Sequence, residues 1–350
     1  MTSFINIIYR SATLCCFVLL FSILGTNSYA QISSSLESPQ TRFVGARHMS
    51  LGGTNPIVFG DINGMMINPA TLGSVESMPI ALTTQTILGI FDYKMLNTAY
   101  PLDMDLSFPD YRFNQRLTFG LSYAQVSLDK IPETFKDSDR IWSSGYFGAG
   151  FRMVYFAGGT EFYHVYGFNN VSIGFGAKYL EHYIKDQSRS SIGLDAGVMS
   201  TYHLNMGFLD SVHAGLSIHN LFAMPMVWSD TQDEATLPFQ IFLGGSMDLF
   251  KDSMSIFANS GVDGISIGTE FEMENHLTFR GSTSIKTISL GTGILFPRIT
   301  TGFGQQDYNL RLDYNYTQNT FPNESNRSEE HTSELQSPCN LVCRLLLEKK

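Results

Sequence analysis

The sequence predicts an all-β protein: a transmembrane antiparallel β-barrel preceded by an irregular N-terminal plug segment. Three observations point there. From about residue 80 the chain alternates apolar residues with small or polar ones at a period of two. The non-apolar face of that alternation is Gly and Ser rather than Lys and Glu. And only 15% of the residues are charged, against ~25% in a soluble domain.

Taken in order, residues 1–30 read as a secretory signal. Arg10 is followed by the apolar run TLCCFVLLFSIL and then by NSYAQ, with small residues at Ser28 and Ala30 ahead of a cut before Gln31. The run is shorter than the about 20 apolar residues of a bilayer-crossing helix. Removing it takes Cys15 and Cys16 away. The remaining pair, Cys339 and Cys343, lies at the far end, so the chain between has no cysteine. That excludes a disulfide framework, a thiol nucleophile and a Cys-ligated metal. With 22 Lys+Arg against 32 Asp+Glu, the basic footprint of a nucleic-acid binder is missing too. No cofactor is expected.

Residues 31–78 form the entry segment, whose core is VGARHMSLGGTNPIVFGDINGMMINPATLG. It does not alternate. Gly52, Gly53 and Asp61 punctuate it, and Asn68 before Pro69 and Ala70 is set to cap a short helical piece opening at Pro69. A wide barrel cannot fill its lumen with its own side chains. Irregular backbone is tolerated at membrane depth when it sits inside. The segment, from about 41 to 78, is therefore expected inside the barrel or across its mouth.

Residues 79–326 supply the strands. LTFGLSYA sets Leu117, Phe119, Leu121 and Tyr123 against Thr118, Gly120, Ser122 and Ala124. VSIGFGAKY opposes Val171, Ile173 and Phe175 to Ser172, Gly174, Gly176 and Lys178. SIGLDAGV, VHAGLSIHN, ISIGTEFEM, LTFRGS and NLRLDYNY continue the pattern. A soluble sandwich and a membrane barrel share this alternation, but Gly weakens an exposed strand. A Gly/Ser face therefore suits a lumen, with the apolar face on lipid. Leu117, Phe119, Ile173, Phe175, Leu194, Ile267 and Phe271 are expected to face outward. The polar residues Asp195, His213, His219, Ser266, Glu270 and Glu272 are expected to face the lumen. The segments match the ~9–11 residues of a tilted membrane strand, and DKIPETFKDSDRIW and VWSDTQDEATLP read as loops.

Catalytic signals are weak. GISIG around Ser266 matches a nucleophile elbow but sits mid-strand, without the strand–turn–helix context that motif needs. His213 and His219 lie too far apart on one strand to share a metal. Glu270 and Glu272 are same-face neighbours, for which hydrated lumen charge is the ordinary explanation. No metal site and no enzyme activity are expected.

GARHMSLGGTNPIVFGDINGMMINPATLG resembles the N-terminal signature of the PorV/PorQ group of outer-membrane barrels, relatives of FadL-type fatty-acid transporters. FDYKMLNTAYPL, AKYL, GLDAGVM, LSIHNL, LPFQIFLGGSMDL, ISIGTEFEMENHLTFRGS and LRLDYNY extend the resemblance in order along the chain. It implies a bacterial outer-membrane barrel of about 14 strands with a hatch carrying Asn68, Pro69 and Ala70. PorV/PorQ-like barrels are accessories of type IX protein secretion, with secretion proteins or secreted cargo as partners. FadL-like barrels pass hydrophobic small molecules. The secretion accessory is the first reading here, the FadL-like conduit the alternative, and an outer-membrane hydrolase the third. Outer-membrane lipid is a partner in every case.

Residues 327–350 are of another kind. The codons of a common sequencing-library adapter translate to Arg327–Ser337 and, past a short index, to Leu341–Leu347. The tail is therefore expected to be artefactual and to pack against nothing consistently. A metal or disulfide role for Cys339 and Cys343 falls away with it. The natural last strand is expected to be missing after about Asn326, leaving a seam or an improvised closure, and resequencing the locus tests this.

Overall fold

The computed structural model describes residues 44–87, 91–108, 111–137, 140–165, 168–227, 234–261, 264–273, 276–300, 307–319 and 339–347. The signal segment and 327–338 lie outside them. The chain begins with α1 (Ala46–Ser50) and two 3₁₀ turns, Ile62–Met66 and Pro69–Ser74. Strands follow: β1 (Met78–Ile87), β2 (Phe91–Phe108), β3 (Tyr111–Asp137), β4 (Arg140–Val165), β5 (Phe168–Ile184), β6 (Gln187–Met206) and β7 (Leu209–Ala223). Two short ones come next, β8 (Met226–Val227) and β9 (Glu234–Ala235). The rest are β10 (Gln240–Leu249), β11 (Met254–Gly261), β12 (Gly264–Met273), β13 (Leu277–Ser284), β14 (Thr287–Thr300), β15 (Asp307–Asn319) and β16 (Cys339–Leu347).

Fourteen strands close into one antiparallel barrel, each beside its sequence neighbour, with β7 next to β10 and β16 between β15 and β1. β8 and β9 pair only with each other. No helix among the described residues is long and apolar enough to cross a membrane; crossing is by strands.

The alternation becomes two faces. In β5 the residues from Ser172 to Leu180 alternate buried and exposed. Phe175 is 66% exposed while Gly174 beside it is buried. Outward side chains line up across strands. Leu82, Leu96, Tyr123, Val154, Tyr179 and Ile192 are successive ladder partners from β1 to β6, and all are exposed. A closed wall with an apolar outside and no free edge is what lipid demands, since every backbone group must be paired. The fold is that of a transmembrane β-barrel. Leu117 and Phe119 are half-buried, whereas Ile173, Phe175, Leu194, Ile267 and Phe271 are exposed on this outer face.

Three expectations need correction. First, β3 and β4 run 27 and 26 residues, far beyond a membrane strand. Within the expected loop 129–142 the described residues 129–137 and 140–142 are strand: after a register shift between Leu128 and Ile131 the pair continues to Asp137 opposite Arg140. The β-branched Ile131 and Thr134 support an extended ribbon. Second, in VWSDTQDEATLP residues 228–233 lie outside the described set, but Val227 pairs with Glu234 in the small β8–β9 ladder. Third, the end of the tail does not pack inconsistently: it supplies the improvised closure expected where the natural last strand is missing. Cys339–Leu347 pairs with Met78–Gln85 on one side and Tyr308–Tyr316 on the other. The physical reason is that the edges of β1 and β15 offer rows of unpaired N–H and C=O groups. Backbone pairing asks only for an extended segment of the right length, whatever its origin.

Candidate functional site

The site is the lumen and the segment 44–77 that occupies it. This segment touches strands all round the wall. Pro69–Ser74 contacts β3, β4, β5 and β6, while α1 contacts β13, β14, β15 and β16. Val44, Ala46, Leu51, Ile57, Met65, Met66, Ile67, Ala70 and Leu72 are fully buried.

Gly52 and Gly53 follow α1 with φ of +99° and +78°, a left-handed turn suited to Gly. The Gly53 N–H donates to His48 O at 2.7 Å. Asp61 caps the first 3₁₀ turn by accepting from Asn63 N at 3.0 Å. Its other oxygen is 3.7 Å from Nδ1 of the wholly buried His48. Burial pushes the His48 imidazole down to about 4, against the opposing pull of Asp61.

Asn68 is the pivot. Its Oδ1 accepts from Ala70 N at 3.0 Å, capping the turn at Pro69. Its Nδ2 donates to Pro56 O at 2.8 Å within the segment and to Val198 O of β6 at 3.3 Å. The preceding carbonyl, Ile67 O, is gripped from β7 by Ser217 and by His219 Nε2. Asn63 Oδ1 accepts from Asn97 Nδ2 of β2 at 2.6 Å.

On the other side of the lumen, Arg47 of α1 makes a two-point contact with Glu270: Nε to Oε2 at 2.9 Å and Nη2 to Oε1 at 2.6 Å. Arg280 bonds Glu270 through Nε and Asp313 through Nη1 at 2.8 Å. Arg311 Nε lies 3.1 Å from Asp313 Oδ2. Three guanidinium groups thus share two carboxylates, tying α1 to β12, β13 and β15. Ser266 donates to Asn259 Oδ1 at 2.6 Å and abuts Gly52.

Asp195 is paired with Lys178 at 2.8 Å, both side chains fully buried. Asp195 also accepts from Asn220 N at 2.9 Å. There the β6–β7 ladder breaks register between Leu194 and Ala196, and Asn220 takes a φ of +55°. The carboxylate thus replaces a lost ladder partner at a β-bulge.

His213 and His219 go to separate networks. His213 Nε2 meets Asp248 Oδ2 at 2.6 Å and Ser211 Oγ at 2.9 Å, while Nδ1 meets Thr201 Oγ1 at 2.9 Å. This resembles the parts of a hydrolase but not its working order. Ser211 and Asp248 share one ring nitrogen, whereas proton transfer needs the hydroxyl on one and the orienting carboxylate on the other. Thr201 sits on the free side, but it is buried. Phe59 packs on the His213 ring at 4.7 Å between centroids, so the network seats the plug. Glu272 shares the register of Glu270 but lies exposed near the end of β12, outside the buried lumen set.

The sequence reading did not single out Arg47, Lys178, Arg280 and Asp313. A signal existed for Lys178 and Arg280: each is a charge on the small-residue face of an alternating strand. Arg47 gave none, because the entry segment has no period.

No family model matches the chain, and no curated protein matches it. Among solved structures it is similar to the Pseudomonas putida toluene transporter TodX, at 12% identity and TM-score 0.45, over 89% of this chain and 99% of that one. It is also similar to the Ralstonia pickettii toluene transporter TbuX, at 13% identity and TM-score 0.37, over 89% and 100%. A Pseudomonas aeruginosa FadL homologue follows at 11% identity and TM-score 0.35, over 90% and 100%.

Proposed function

We propose that the protein is a FadL-like conduit that passes hydrophobic small molecules through the outer membrane. One observation supports it: the lumen on the β1–β2 hairpin side of the plug is apolar. Ladder pairing sets Met95, Ala124, Met153 and Leu180 in one inward row, with Tyr93 and Val126 in the row beyond. Together with Met65, Met66 and Leu72 of the plug, and Met226 and Leu237 of the β7–β10 connection, they make one buried cluster. A water-filled pore is lined with polar groups. Met and aromatic side chains instead adapt to apolar solutes of varied shape. The Asn68 turn, held by β6 and β7, would be the hatch that such a solute passes.

The rival reading, an accessory of type IX secretion with secreted cargo as partner, rests on the sequence resemblance, and no cluster among the described residues adds to it. The test uses the full chain in lipid vesicles, with uptake of a long-chain fatty acid, an aromatic hydrocarbon and a disaccharide measured side by side. The conduit takes up the first two or one of them, loses that uptake on Met153→Asp, and excludes the sugar. Equal flux of sugar and hydrocarbon overturns it. So does loss of cargo export with unchanged solute uptake in cells deleted for the protein.

A further inference from the structure

The outer face of the wall carries a grouping that passage through the lumen does not use. Lys94 of β2 pairs with Gln125 of β3, and Gln125 pairs with Arg152 of β4. Neighbouring strands are about 4.8 Å apart, so the two cations start about 10 Å apart, within reach of side chains leaning toward the glutamine. One row along the same strands stand Leu96, Tyr123 and Val154, exposed at 47%, 43% and 43%. The three polar residues therefore lie at the border of the lipid-facing band.

Their chemistry is that of donors. Lys94 and Arg152 are exposed. Tyr123 Oη donates to Gln125 Oε1 at 3.1 Å, which engages the amide oxygen and presents its NH₂. The Arg152 guanidinium lies over the Tyr183 ring, 4.8 Å from its centroid. It reaches Glu181 only at 3.8 Å. Asp92, exposed two residues before Lys94 on the same face, bounds the grouping at its near corner. Glu181 bounds the row on its far side and confines an anion to the space over Gln125.

We propose that Lys94, Gln125 and Arg152 bind the phosphate-bearing headgroup of an anionic lipid, with its acyl chains along Leu96, Tyr123 and Val154. A phosphate offers oxygen acceptors to three donors at once. Each cation near an anionic membrane surface contributes about 1 kcal/mol, or about fivefold in affinity.

The test is lipid retention by the full chain, purified in detergent and supplied with equal phosphatidylglycerol and phosphatidylcholine, read by native mass spectrometry. Wild type retains the anionic lipid preferentially. Lys94→Gln and Arg152→Gln each reduce the preference about fivefold and together about twenty-five-fold. Lys185→Gln, a cation off the row, leaves it unchanged. All these side chains are exposed, so the heat-dependent gel shift of the folded barrel is retained in each variant. Millimolar inorganic phosphate does not displace the lipid, because the tails contribute. No preference in wild type, an unchanged preference in the double variant, or displacement by free phosphate overturns the proposal.

Discussion

Asn68 of the plug and Gly197 of the wall stand so close that a Cβ on the glycine would lie 1.8 Å from Asn68 Oδ1. From the same position Asn68 Nδ2 reaches Val198 O. The contact is backbone to side chain with nothing between. At Gly174 a Cβ would lie 2.4 Å from the carbonyl carbon of Pro69. The inward face is glycine-rich because plug backbone is laid directly on it.

The first prediction follows. Gly174→Val forces Pro69 away, and since the obstructing atom is backbone it cannot rotate aside. Overpacking of this kind costs about 1–3 kcal/mol. Planar-bilayer recordings of the variant show a larger, noisier conductance than wild type. Gly158→Ala is the control, since its Cβ would meet only Phe119 at 3.7 Å. Equal conductance of Gly174→Val and wild type would show that the plug is not held there.

The wall was legible because period two is a local property: one face of β5 can be read from nine residues. Asp195, Ser266 and Glu270 are buried on the face that alternation assigned them. What could not be read was partnership. Glu270 and Arg47 are separated by 223 positions, and nothing local to either announces the other. Asp248 meets Ser211 and His213 only because β7 lies beside β10, a consequence of setting β8 and β9 aside. Glu272 followed the period but not the burial, since alternation says which way a side chain points and not how deep along the strand it sits. The length of β3 and β4 escaped for a related reason: a strand that leaves the membrane keeps its alternation, and the period carries no mark at the boundary.

The second prediction concerns the anchor of α1. Arg47→Met leaves Glu270 with Arg280 alone and removes the tie to Phe59 O, made at 2.8 Å. Breaking a buried ion pair by removing one partner costs about 3–5 kcal/mol, and the retained Arg280 keeps this case near about 3 kcal/mol. A cysteine placed by Ser50→Cys, shielded in wild type, becomes reactive to a water-soluble maleimide. Arg47→Met with Glu270→Gln recovers at least about 1 kcal/mol of the loss, as coupled neighbours do. If the two losses simply add, the residues do not act as a pair.

The third prediction is a pH dependence of plug seating. His48 is buried neutral, and its folded value, about 4, is below the ordinary 6.5. A plug that has left the lumen takes up a proton more readily than a seated one. The stabilisation is therefore complete above pH 6.5 and is lost as pH falls from 6.5 toward about 4. The full effect is on the order of 3 kcal/mol. Maleimide reaction at Ser50→Cys rises as pH is lowered through that window, after correction for the thiol's own titration with a free-cysteine standard. His48→Gln flattens the profile, and an unchanged profile in that variant would assign the dependence elsewhere.

The last prediction tests closure. β16 supplies pairing to eight residues of β1 and nine of β15. Without it both edges face lipid with unpaired backbone groups, each costing several kcal/mol. A chain ending before Cys339 therefore does not reach the folded, heat-shifted form in lipid vesicles, although every other strand is intact. What closes the barrel is an extended backbone, so the identity of Cys339 and Cys343 should not matter. Replacing Cys339–Leu347 by nine residues alternating Val and Ser, apolar outward, restores the folded band, as does Cys339→Ser with Cys343→Ser. If the truncated chain refolds to the same mobility, β1 and β15 can pair directly in a thirteen-stranded wall. If only the wild-type segment restores folding, its side chains contribute more than a paired edge.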